Sequence, residues 1–96
     1  MALTNFTPAA YGAMGATKDA SVAQAVPGGG GATLLITNLG PSPAVVLLGA
    51  SAVVVTLATG VAVLPNQSIA LAVGANTHIA AIGEGGTAVL NLAQGA

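Results

Sequence analysis

Residues 44–64 read AVVLLGASAVVVTLATGVAVL, and how these 21 positions are understood decides the fold. The stretch carries no charge and has the length of a membrane-spanning helix, which needs about 20 apolar residues. Its composition points elsewhere. Nine of its positions are Val or Thr (45, 46, 53, 54, 55, 56, 59, 61 and 63), and Gly49-Ala50-Ser51 and Thr59-Gly60 interrupt the run. β-branched residues cut at short intervals by turn formers read as strands. The flanks also lack membrane anchors: no Lys or Arg lies within 25 positions on either side, and no Trp or Tyr borders the segment. We therefore read 44–64 as strands and turns, with a small membrane-embedded protein, spanning the bilayer at 44–64, as the alternative.

Turn signals continue on both sides of this stretch. Gly40-Pro41-Ser42-Pro43, Pro65-Asn66-Gln67, Gly74-Ala75-Asn76 and Gly83-Glu84-Gly85-Gly86 divide the rest of 32–96 into short segments. The expected strands are 32–39, 44–48, 52–58, 61–64, 68–73, 77–82 and 87–93. Several alternate with period two, as half-buried strands do. Leu34 and Ile36 oppose Thr33, Leu35 and Thr37; Ile69, Leu71 and Val73 oppose Ser68, Ala70 and Ala72; Leu90 and Leu92 oppose Val89 and Asn91. Regular short strands with turns between them predict an all-β fold, a small antiparallel β-sandwich or jelly-roll-like barrel of about seven strands. Strands 44–48 and 52–58 place large aliphatics on both faces. With little room for a third layer in so short a body, the outward set, represented by Val46, Leu48 and Val54, is expected to meet another subunit.

The glycine run 28–31 marks a change of composition. Residues 1–27 hold three Val, Leu or Ile, whereas 32–96 hold 23. This predicts an extended N-terminal arm with a glycine hinge over 1–31 and a β-sandwich body over 32–96. Ala16, Ala20 and Ala23 recur at helical spacing, so a short helix is expected over 16–25. The arm carries both aromatics, and Leu3, Phe6, Tyr11 and Met14 are its candidate partner-binding anchors, because aromatic side chains bring the largest burial energy per residue to an interface.

Charge is nearly absent. The 96 residues contain Lys18, Asp19 and Glu84 as their charged side chains, 3% of the chain, where about 25% is usual for a soluble domain. One cation cannot neutralise several phosphates, so nucleic acid is not an expected partner. There is no cysteine, which removes disulfides and thiol chemistry. One His and two carboxylates leave too few ligands for a metal centre, and no cofactor is expected. Residues 27–33 are glycine-rich, but Ala32-Thr33 follow where a phosphate-binding loop requires Lys and Ser or Thr. A catalytic role for His78 needs a nucleophile or carboxylate within hydrogen-bond reach, and its nearest candidate partner, Glu84, is six positions away. The expectation is a non-enzymatic protein. A surface this poor in charge stays soluble in one of two ways, by embedding in lipid or by being covered in an assembly.

Residues 37–45 (TNLGPSPAV) leading to Leu48-Gly49, then 64–68 (LPNQS), 77–82 (THIAAI) and 86–90 (GTAVL), resemble small phage head proteins that decorate or cement the capsid. The resemblance spans about 37–90 and leaves the arm outside. It implies a virion structural protein on the outer capsid surface, bound to the major capsid protein and to copies of itself as a dimer or trimer.

Overall fold

A computed structural model of the chain describes residues 8–18, 20–27 and 33–95. It contains eight strands: β1 (Pro8–Ala16), β2 (Val22–Ala25), β3 (Thr33–Pro41), β4 (Ala44–Gly49), β5 (Val61–Val63), β6 (Ser68–Ala72), β7 (His78–Gly83) and β8 (Ala88–Gly95). They form two four-stranded sheets, ordered β1-β8-β3-β6 and β2-β7-β4-β5. The antiparallel pairs β1/β8, β2/β7, β3/β6 and β4/β5 are those of one long hairpin folded at 50–60. Rolling that hairpin adds the pairs β3/β8 and β4/β7 and closes each sheet. This strand order is that of a jelly roll. The expected all-β sandwich is the fold, with eight strands rather than seven.

The core is aliphatic and follows from the alternation. Leu34 and Ile36 of β3, Leu90 and Leu92 of β8, Val46 of β4, Val63 of β5 and Ile79 of β7 are all fully buried between the sheets. On the opposite side of β3, β6 and β8, positions such as Leu39, Ser68, Ala70, Val89 and Asn91 are exposed.

Asn38 fastens the turn end of the core. It is fully buried. Its Nδ2 donates to the carbonyls of Ser42 and Val63 at 2.9 and 2.8 Å, and its Oδ1 accepts from the Gly40 amide at 2.7 Å. Its own amide donates to the Gln67 carbonyl at 3.0 Å and its carbonyl accepts from the Asn66 amide at 2.7 Å. One side chain thereby ties β3 to β5 of the opposite sheet. The Gly40–Pro41 peptide beside it is cis.

Two local expectations are corrected. Residues 52–58 form no strand. Thr56 and Thr59 turn the chain on themselves: the Thr59 amide donates to the Thr56 carbonyl at 3.2 Å, the two hydroxyls lie 2.9 Å apart, and the Ala58 amide donates to Thr56 Oγ1 at 3.3 Å. Such local bonds compete with a sheet ladder and outweigh the β-propensity of the valines. Residues 16–25 form no helix. The chain leaves β1 at Ala16, makes a Thr17–Ala20 bridge and enters β2, where half-buried Val22 and Gln24 alternate with exposed Ala23 and Ala25. The reading of 44–64 as strands and turns stands: the segment is β4, a loop and β5, and no helix among the described residues is long and apolar enough to cross a membrane.

The expected arm also enters the sandwich. β1 and β2 are edge strands of the two sheets, β1 lying along β8 from Pro8↔Gly95 to Ala16↔Ala88, with Met14 and Ala16 in the core. The residues around the expected hinge, 28–32, lie outside the described residues.

Candidate interaction surface

The two faces of β4 explain where its aliphatics go. Val46 and Leu48 face the inter-sheet core. Val45 and Leu47 face outward and are covered by Val53 and Val55 of the 50–60 loop, together with Ala80 and Ile82 of β7. The loop is bound at close range: the Val55 amide donates to Ser21 Oγ at 3.1 Å, and a Cβ on Gly60 would lie 2.7 Å from both Val45 Cγ1 and the Val46 carbonyl oxygen. The chain thus supplies its own third layer over the β2-β7-β4-β5 sheet. Val46 and Leu48, expected at a subunit interface, are turned into the protomer's core. Val54 points away from the loop's buried side and is 67% exposed.

The other sheet has no such cover among the described residues. Cross-strand neighbours on its outer face run Tyr11, Ala93, Leu35, Ala70 in one row and Ala13, Asn91, Thr37, Ser68 in the next. Thr37 Oγ1 and Ser68 Oγ are 2.8 Å apart. Tyr11, at 70% exposure, and Val89 and Leu39 leave large apolar area on this face, and none of the described residues on it is charged. Of the four expected arm anchors, Tyr11 is on this surface, Met14 is buried in the core, and Leu3 and Phe6 lie outside the described residues.

Among the described residues, the charged side chains Lys18 and Glu84 lie at one end. Gly83 bridges to Lys18 and its amide donates to the Thr17 carbonyl at 2.9 Å, so exposed Lys18 lies next to exposed Glu84, whose amide donates to the Pro43 carbonyl at 2.9 Å. His78 begins the same strand, and at about 3.3 Å per residue it is roughly 20 Å from Glu84. Its Nδ1 is 2.8 Å from Thr77 Oγ1. The one histidine and Glu84 are therefore not brought together. No group of three metal-ligating side chains and no ligand-sized cavity occurs among the described residues.

No protein-family model, curated protein or solved structure matches this chain.

The surface must therefore be read from its own chemistry. Its described residues offer an uncharged, partly apolar sheet face, an uncharged loop tip exposing Val54 and Leu57, and one small charged end. Such a surface can bury area and exchange backbone and hydroxyl hydrogen bonds. Sequence reasoning missed the sheet face, although the alternation of Leu35, Thr37 and Leu39 against Leu34 and Ile36 carried its signal.

Proposed function

We propose that this is a non-enzymatic virion structural protein that decorates and stabilises a phage capsid, binding the outer surface of the major capsid protein lattice and copies of itself. The observation that carries the reading is the surface: almost free of charge, with Lys18 and Glu84 together at one end. A free protein of this kind has little to oppose association. On a lattice, neighbours cover the uncharged faces and the charged end stays in water. Jelly rolls serve in capsids, lectins and cupins alike, so the fold is compatible with the reading without deciding it. The resemblance of residues 37–90 to phage head proteins points the same way.

The test is sedimentation with heads of the phage that carries the gene, prepared without this protein. The purified chain should pellet with them at a fixed ratio to the major capsid protein. Its occupancy should change little between low salt and about 0.5 M salt, because no charge pairs of consequence contribute. Protein that stays in the supernatant, or binds only at low salt, overturns the reading.

A further inference from the structure

We propose that the free edge of β6 pairs with β6 of a second copy, joining two β1-β8-β3-β6 sheets into one continuous sheet about a two-fold axis at Ala70. The inference deepens the self-association in the reading above and names its surface. The Asn38 amide donates to the Gln67 carbonyl, so in the β3/β6 ladder residues 67, 69 and 71 face β3. The N–H and C=O of Ser68, Ala70 and Ala72 then point to the open side. The same alternation carried across β8 turns Ala13 of β1 outward, and its carbonyl does accept an outward bond, from Gln24 Nε2 at 3.0 Å.

The four edges of the sandwich are not alike. Proteins blunt exposed edges by keeping them short, covering them, or placing charge or proline on them. β5 has three residues and β2 four. β1 has the Gln24 amide on its edge, bonded to the Ala13 carbonyl. β6 has none of these devices: it runs five residues, SIALA, without charge or proline, and among the described residues it pairs with β3 alone.

The second copy is the occupant that fits. With the two-fold at Ala70, Ser68 faces Ala72 of the other copy and Ala70 faces Ala70. Three outward positions then meet three outward positions, allowing about six backbone hydrogen bonds. No like charges oppose one another, and Ser and Ala are small enough not to hold the strands apart. An isologous contact of this kind also closes after two copies, so it ends in a dimer rather than a fibre.

The experiment is sedimentation equilibrium of the full chain with concentration-dependent amide exchange. Wild-type protein should approach twice its 8.9 kDa mass, and the Ser68, Ala70 and Ala72 amides should gain protection as concentration rises. Ala70→Lys, which sets two like charges at the axis, should be monomeric with unchanged circular dichroism, and its Tm should not vary with concentration, whereas the wild-type Tm should rise with it. The double variant Ser68→Lys/Ala72→Glu, which sets opposite charges face to face in this register, should dimerise more tightly than wild type. A wild-type mass that stays at 8.9 kDa up to about 1 mM, or an Ala70→Lys dimer as tight as wild type, overturns the pairing. So does a dimer lost in Val89→Lys on the sheet face but kept in Ala70→Lys. No phage particle is used, so the outcome is decided separately from the capsid reading; a wild-type monomer that still pellets with heads defeats the pairing alone.

Discussion

Asn38 commits its side chain to three backbone groups in three parts of the chain: Gly40, Ser42 and Val63. In Asn38→Leu those groups lose their partner inside the protein, and each orphaned polar group costs about 1–3 kcal/mol. The losses overlap, so we expect about 3 kcal/mol in all, which lowers Tm by roughly 10–20 °C in a domain of this size. Asn38→Asp should be no better, because a carboxylate oxygen would replace the donor and face two carbonyls. Thermal melts of both variants check this; a fall under about 5 °C in either would mean that the turn end rearranges without it. Gly60 is limiting for a different reason. Its φ of 154° suits glycine, and a Cβ would press on Val45, Val55 and the Val46 carbonyl. Gly60→Ala should destabilise by about 1–3 kcal/mol, whereas Gly15→Ala, with open space around its Cβ, should be near neutral in the same melts.

Among the elements, the 50–60 loop carries the main lesson about the protein's layers. Val55 is buried beneath it and Val54, the next residue, is exposed. Val55→Ala should cost roughly 1.5–2.5 kcal/mol, from two lost methyls and the space they leave. Val54→Ala should stay within about 0.5 kcal/mol. Equal effects in denaturant titrations would show that the loop does not cover β4 as described. The sequence reads this loop as a strand because valines covering a sheet and valines inside one have the same composition; only the threonine turn at 56–59 distinguishes them. The strands β3, β6 and β8 were legible because apolar and polar residues alternate between firm turn signals, and β7, which is buried on both faces, from the turn signals on either side of it. β1 was not: in PAAYGAMGA the pairing runs through backbone along β8, some eighty residues away, and Ala and Gly leave little hydrophobic signal. For the same reason Met14 reads as an anchor for a partner, although the partner it meets is the chain's own core. The interaction surface was legible as poverty of charge, but not its position, which depends on which face the loop covers.

For the molecule as a whole, the eight strands form one rolled hairpin, and its outer pair, β1 with β8, is as much part of the core as the inner ones. Removing residues 1–27 takes an edge strand from each sheet and Met14 and Ala16 from between them. The truncated chain should lose cooperative melting rather than behave as a free-standing body; a sharp transition with full strand signal would contradict this topology. The molecule, 34 × 31 × 20 Å, carries its described charged residues, Lys18 and Glu84, at one end, and on the proposed lattice that end would face outward. Reconstruction of the mature phage head by electron cryomicroscopy tests the claim most directly. Jelly-roll densities of this size should stand on the outer capsid surface, repeated with the lattice, with Lys18 and Glu84 on the solvent side. A head surface with no such density, in particles from a phage expressing this chain, would contradict it.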